Sequence, residues 1–362
     1  MKFVHIADMH FDRPFINLSD REYFGDLKRL EQRKVFKNVI EYVKNNNIKY
    51  LFIAGDFYEH DYVKKTTIEY INNLFKEIPE TKIFITPGNH DPFIKNSYYN
   101  KYIWNDNVKI FNSNIEKIET EEANIYGFGF NDFYCTNSGL ESFEINQADK
   151  SKLNILIIHG TVDGATLEEK EYNSMKSKVL NEKGFDYIAL GHIHKLDYNS
   201  YENQKIVYPG STTALGFDET GKHGMIVGEI NKNDLKVEFI PIEQTEFEIK
   251  EIDITDIFSK EELIEKINEL NIEKNNYLEI YLVGKRNFEI NNSELLKLIE
   301  NERIIKIKNK TQINYNLEKI ANENTLKGIF VKKMLKKLNE TQNSDEKEIL
   351  EKSIEIGIDS LK

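Results

Sequence analysis

Along the first 240 residues, short apolar runs alternate with longer stretches in which apolar side chains recur every three or four positions. The runs fall at residues 3–6, 50–54, 82–86, 153–158 and 186–190, each of strand length. Between the first two, Leu27, Leu30, Phe36, Val39, Ile40 and Val43 keep helical spacing. Between the second and third, Ile68, Ile71, Leu74, Phe75 and Ile78 do the same. Strand, helix, strand repeated in this way predicts an α/β layered domain. Around Pro241 the pattern changes. Strands are expected over 247–254, 277–283 and 303–308, with helices over 260–270 and 293–299, which makes a small α+β module. Past residue 325 only helical periodicity remains, in two segments parted by 341–345. Leu326, Ile329, Phe330, Met334, Leu335 and Leu338 form an apolar stripe on the first, and Leu350, Ile354, Ile358 and Leu361 on the second. The expected domains are 1–243, 244–312 and 313–362.

Composition narrows the classes. With 40% hydrophobic and 30% charged residues, a sizeable core and a solvated surface coexist. Six prolines and 18 glycines exclude collagen-like and Pro-rich architectures. No apolar run reaches the roughly 20 residues of a membrane helix. The opening MKFVHIADMH lacks the basic-then-apolar pattern of a secretory signal. One cysteine, Cys135, excludes an intramolecular disulfide framework and a multi-thiolate zinc site, so a cytoplasmic location is expected. Acidic residues outnumber basic ones 61 to 49, for a net charge of −12. Phosphate neutralisation supplies most non-specific affinity for nucleic acid. A nucleic-acid substrate would therefore need metal ions or a partner protein to supply positive charge.

The chemistry sits where strands end. The five runs lead into Asp8-Met9-His10, Gly55-Asp56, Gly88-Asn89-His90-Asp91, His159-Gly160 and Gly191-His192-Ile193-His194. Ligands of α/β sheets gather outside the carboxyl ends of strands, so these groups should converge. Five of the eight histidines stand there: His10, His90, His159, His192 and His194. Any one alone would read as a turn former or a hydrogen-bonded core group. Together, imidazole, carboxylate and carboxamide suit Mn²⁺, Fe²⁺ or Zn²⁺ better than Ca²⁺ or Mg²⁺.

The series Asp-x-His, Gly-Asp, Gly-Asn-His-Asp, His-Gly, Gly-His-x-His resembles the calcineurin-like metallophosphoesterase superfamily. More narrowly, the opening from His5 to Phe15 resembles SbcD and YhaO-type DNA-repair nucleases, as do Tyr208-Pro209-Gly210-Ser211-Thr212 and Gly221-Lys222-His223-Gly224. The resemblance implies a β-sandwich flanked by helices, with a small α+β cap and C-terminal helices. It implies two metals, one on Asp8, His10, Asp56 and His194 and the other on Asp56, Asn89, His159 and His192. Asp56 would bridge. Two cations roughly 3.5 to 4 Å apart can activate a water and clamp phosphate oxygens. His90 would protonate the leaving oxygen or stabilise transition-state charge, and Asp91 would shape the turn. The implied cofactor is two divalent ions, Mn²⁺ first, with Mg²⁺, Fe²⁺ or Zn²⁺ as alternatives. The implied function is phosphodiester hydrolysis on DNA, as the nuclease subunit of a repair complex. An SMC-like ATPase would dock on the C-terminal helices, the alternative being that these helices fold back on their own domain or pair with each other, and the nuclease would form a homodimer. A small-substrate phosphatase or cyclic-nucleotide phosphodiesterase is the alternative enzyme, and a weakly catalytic scaffold the alternative outside that class. Similar nucleases often carry His three residues after the bridging Asp. Here that residue is Glu59, followed by His60 and Asp61, and it would repel phosphate unless a metal or Arg13 offsets it.

Other features admit ordinary readings. Phe93, Tyr98, Tyr99, Tyr102 and Trp104 could stack on bases, line a dimer interface or fill a satellite core. Lys306, Lys308 and Lys310 share a strand face that suits solvent, a guarded edge or phosphate. Cys135 is expected to be an inert thiol.

Overall fold

The computed structural model describes the chain except residues 17, 20, 22, 137–139, 141, 146–150, 165–171, 199–203 and 362, and the side chains of 344, 345, 348 and 359. The chain divides into two compact units, Met1–Glu248 and Ile249–Lys362.

The first unit is built from β1 (Lys2–Ile6), α1 (Phe24–Asn45), β2 (Tyr50–Ala54), α2 (Lys65–Lys76), β3 (Lys82–Thr86), α3 (Tyr98–Lys101), β4 (Val108–Ile110), β5 (Glu116–Glu119) and β6 (Ala123–Phe128). It continues with β7 (Leu153–His159), α4 (Ser177–Glu182), β8 (Tyr187–Gly191), β9 (Ile206–Val207), β10 (Gly224–Ile230) and β11 (Leu235–Pro241). Two sheets result, ordered β11-β10-β1-β2-β3-β4 and β5-β6-β7-β8-β9. Strands β1 to β4 are parallel, as are β6 to β9, while β10, β11 and β5 pair antiparallel at the flanks. Alternation along each strand sends one set of side chains between the sheets and the other outward. Phe3, Phe52, Phe84, Ile155, Ile157 and Tyr187 fill the space between. Val4, Ile6, Leu51, Ile53, Ile83 and Ile85 meet Phe36, Val39, Ile40, Ile68, Ile71 and Phe75 of α1 and α2. On the far side Leu156, Ile158, Ile188 and Leu190 meet Leu180 and Phe185. Both faces of the central strands are buried, so these strands read as unbroken apolar runs rather than alternating ones. The fold is thus the helix-flanked β-sandwich expected from the sequence.

One expectation about this unit needs correction. Leu27 and Leu30 are 53% and 63% exposed, and the buried face of α1 carries Lys28 and Gln32 instead. That half of α1 supports a polar loop rather than an apolar sheet: Gln32 Nε2 donates to the Met9 and His10 carbonyls at 2.8 and 2.9 Å. Lys28 pairs with Glu31, and its ammonium lies 5.0 Å from the Phe247 ring. Of the readings open to the aromatic group after the Asn89-His90 turn, core is the one observed. Tyr99 is buried, and Phe93, Tyr98, Tyr102 and Trp104 pack on the α1–α2 cluster.

In the second unit, which β12 (Glu246–Asp253) enters, α5 (Lys260–Asn268), β13 (Asn276–Val283), β14 (Lys285–Arg286), α6 (Asn292–Leu298), β15 (Ile304–Asn309) and β16 (Gln312–Ile313) follow. The sheet β12-β13-β15 packs Leu278, Ile280, Ile304 and Ile307 against Leu263, Ile267, Leu295 and Leu296. Lys308 pairs with the buried Glu279 at 2.9 Å, and Lys310 lies 3.4 Å from the Tyr281 ring centroid. Then come α7 (Leu317–Ala321), α8 (Leu326–Glu340) and α9 (Ser344–Ser360). Helices α8 and α9 pair through Val331, Ile354 and Ile358, with Phe330, Met334, Leu335 and Leu338 partly buried around them. No helix among the described residues is long and apolar enough to cross a membrane.

Candidate metal centre

The loops leaving β1 and β2 run side by side: Asp8 N donates to Gly55 O at 3.1 Å, His10 N to Asp56 O at 2.9 Å and Phe11 N to Phe57 O at 3.0 Å. To do so the backbone takes left-handed φ at Asp8 (51°), His10 (47°) and Asp56 (50°), and His192 after β8 stands at 97°. Each such non-glycine residue costs of order 1–3 kcal/mol and persists only where the surroundings hold it. Several residues hold this one. Asp12 accepts from Arg33, Lys64 N and Thr67 at 2.5–3.0 Å. Asp91 accepts from Asp56 N, Phe57 N, Gly88 N and the Tyr99 hydroxyl. Glycine supplies the close approach: a Cβ on Gly191 would stand 1.8 Å from Ala54 O and 2.8 Å from His159 Nδ1.

All seven residues expected to bind metal, with His90, come together there. Three side-chain groups bring ligand atoms within 4.8 Å of one another: Asp8, His10 and His194; His10, Asp56 and His90; and Asp56, His159 and His192. Asn89 Oδ1 lies 3.1 Å from His159 Nε2. Asp56 belongs to two of these groups. Its Oδ1 accepts from His90 N at 2.9 Å, while Oδ2 lies 3.7 Å from His10 Nε2 and 3.4 Å from His159 Nε2.

The protons show whether these groups suit a cation. His10 Nδ1 donates to Glu59 at 2.8 Å, His194 Nδ1 to Glu219 at 2.5 Å and His159 Nδ1 to Ala54 O at 2.9 Å. Each acceptor can only accept, so in the neutral ring the Nε2 carries a lone pair. Yet His10 Nε2 and His194 Nε2 face each other at 3.3 Å. Two lone pairs converging beside carboxylates call for a positive charge. Imidazoles fixed through the second nitrogen are the usual form of metal-binding histidine. The residues fit.

The electrostatics agree. Burial opposes charge on Asp56, but His159, His90 and His10 outweigh it and hold the carboxyl well below the usual range. Burial lifts Asp8 to about 7, against the pull of His194 and His159. Burial also opposes charge on His159 and His194, yet Asp56 carries the first to about 9 and Glu219 the second to about 9. Burial and His159 push His192 down to about 3. The carboxylates thus draw positive charge into the site, which a divalent cation would supply in place of protons.

Glu59 behaves differently from the sequence expectation. Its two oxygens accept from His10 Nδ1 at 2.8 Å and His90 Nδ1 at 2.9 Å, so imidazoles rather than Arg13 balance it. Those bonds hold its carboxyl down at about 2 despite burial. Glu219 was not anticipated: it holds His194, Ser211 Oγ at 2.6 Å and Leu215 N at 3.2 Å, and His223 closes the bracket on Ser211. The Ser211 and His223 motifs flanking it were the available signal.

The sequence profile of calcineurin-like phosphoesterases matches residues 1–196, more than half the chain. The chain belongs to that family. It is accordingly a phosphoester hydrolase, of a family that works with a dimetal centre. The uncharacterized metallophosphoesterase YhaO of Bacillus subtilis is 26% identical over 71% of this chain, and the match spans 64% of that relative's length. The SbcD subunit of the nuclease SbcCD of Staphylococcus epidermidis is 28% identical over 78% of this chain and 79% of its own. Among solved structures, Thermus thermophilus TT1561 overlaps 66% of this chain and 98% of its own, at 8% identity and a TM-score of 0.37. A Danio rerio dimetal phosphatase does so over 66% and 95%, at 9% and 0.37.

Proposed function

We propose that this phosphoesterase is a DNA nuclease using two divalent cations, Mn²⁺ before Mg²⁺, Fe²⁺ or Zn²⁺. The observation that carries the dimetal part is Asp56 Oδ2, within 4 Å of an imidazole nitrogen on either side. Asp8, His10, Asp56 and His194 would hold one cation, and Asp56, Asn89, His159 and His192 the other. When bound, such ions polarise a phosphoryl oxygen and acidify water. The protein's own groups do the rest. The backbone N–H of His90 fixes Asp56 Oδ1 and so leaves Oδ2 to be shared. Glu59 keeps the proton on His10 Nδ1, which frees Nε2. His90 is 43% exposed at the mouth. Burial opposes its charge, but Asp56 and Glu59 raise its pKa to about 9. A cationic imidazole there is suited to balance charge on phosphoryl oxygens or to give a proton to the leaving oxygen.

Support for DNA comes from the similarity to a nuclease subunit and from chain beyond the catalytic unit, which a small-molecule phosphatase does not need. The net charge of −12 supports leaving long-range DNA holding to a partner, for which an SMC-like ATPase docked on α8 and α9 is proposed. The test is Mn²⁺-supplemented protein on end-labelled DNA and on bis-p-nitrophenyl phosphate. Both should be hydrolysed, and chelation or Asp56→Asn should abolish both. Turnover of monoesters with DNA left intact would favour the phosphatase reading instead.

A further inference from the structure

On one side of His90 and Asn89 opens a cleft of about 310 Å³ whose far wall is Phe133, Tyr134 and Tyr172. Tyr134 is 60% exposed. Its ring centroid lies 6.1 Å from that of Tyr172 at an interplanar angle of 32°, and Tyr172 in turn lies 5.1 Å from His192 at 35°. An aromatic ladder therefore runs from the metal-binding residues out to solvent. The charges say what it suits. Apart from His90 at its mouth and His60, the polar lining is Asn89 and the carboxylates Glu59 and Asp61, and no Lys or Arg lines the cleft among the described residues, so a phosphate is served at His90 rather than along the aromatic wall. Asp61 is an acceptor suited to an exocyclic amino group. Across His90, the adjoining cleft of about 380 Å³ carries Arg13. The volume of the aromatic cleft is at the low end for small-molecule sites, enough for one flat ring system.

We propose that this cleft takes the unstacked base of the nucleotide flanking the scissile phosphate, an inference that rests on the nuclease reading above. A base inside a duplex has both faces covered and must leave the stack before an aromatic side chain can reach it. Single strands and frayed ends are then the preferred substrates.

The test compares kcat/KM in Mn²⁺ for two single-stranded oligonucleotides, one intact and one abasic at the nucleotide next to the cleaved bond. Wild type should prefer the intact strand by about 5- to 150-fold, the range stacking on one aromatic supplies. Tyr134→Ala should erase that preference, and Tyr134→Phe, which keeps the ring, should restore it. Equal cleavage of both strands by wild type, or a Tyr134→Ala loss shared equally by both, would overturn the base cleft while leaving the nuclease reading standing. Wild type that leaves both strands intact would overturn the nuclease reading itself, and the cleft with it.

Discussion

Glu59 joins the two histidines whose roles differ most. Its carboxylate fixes the tautomer of His10, a metal-binding candidate, and also holds His90, which is not needed as a ligand. Removing its charge without its shape should therefore touch both. Glu59→Gln is expected to weaken metal binding or turnover by about 10- to 100-fold, the usual cost of losing such a support. Metal titration and steady-state kinetics check it, and wild-type values in both would remove Glu59 from the site. His90→Ala should separate the roles: metal content by elemental analysis stays at the wild-type level while turnover falls by about 10² to 10⁴. Loss of metal instead would make His90 a ligand or a structural residue. At this scale the Asp, Asn and His set was legible because each member directly follows an apolar strand. Glu219 was not, since it lies 25 residues from His194 and only the folded turn through Ser211 and His223 brings them together.

Between the sheets, one polar link bridges two elements. His5 of β1 is wholly buried; its Nε2–H donates to Leu190 O at 3.1 Å and its Nδ1 accepts from the Tyr187 hydroxyl at 2.9 Å, both on β8. Burial pushes its pKa down to about 3, against the Leu190 carbonyl, which raises it. The folded protein thus keeps this ring neutral where the unfolded chain, near 6.5, takes a proton. Its stabilising contribution is complete above pH 6.5 and declines as pH falls from 6.5 towards 3, by about 1.4 kcal/mol per unit. His5→Gln keeps a donor and an acceptor but has no such proton. Urea unfolding at pH 6.5 and pH 5 should show wild type losing about 2 kcal/mol more than the variant over that interval. Equal losses would contradict the neutral, buried His5. Elements differed in how openly the sequence announced them. Central strands such as β2 and β7, apolar on both faces, were plain. β6 was missed because Asn124 and Gly127 interrupt it; Asn124 is buried against Asn154, and the Phe111 ring occupies the space a Gly127 Cβ would need. The β10–β11 hairpin was missed because β11 alternates with exposed polar residues and Gly228 leaves room for Phe3.

At the scale of the whole molecule, the proposed docking of a partner ATPase rests on what the C-terminal helices leave exposed. Most of both apolar stripes is spent within the second unit, where Val331 of α8 meets Ile354 and Ile358 of α9, and Tyr315, Leu317 and Ile320 join the same cluster. Exposed from the α8 stripe are Leu326 and Ile329, at 70% and 54%, and on α9, outside its stripe, Ile349 and Ile356 are exposed as well. The first two are three residues apart and the second two seven, so each pair shares a helix face. Lysines 327, 332, 333, 336 and 337 surround the α8 pair. That combination suits an acidic amphipathic helix, which the proposed SMC-like ATPase would have to present. A cut at Thr325 would strip Tyr315, Leu317 and Ile320 of their packing, whereas a chain ending at Asn314 loses the cluster whole. The 1–314 chain should stay soluble, hydrolyse bis-p-nitrophenyl phosphate at the full-length rate and fail to co-purify with the ATPase. Leu326→Glu/Ile329→Glu is the finer probe, because both side chains are exposed and the thermal midpoint should hold. Its affinity for the ATPase should drop at least about tenfold, the equivalent of about 1.4 kcal/mol. A double variant that binds the ATPase as wild type does would remove α8 from the interface.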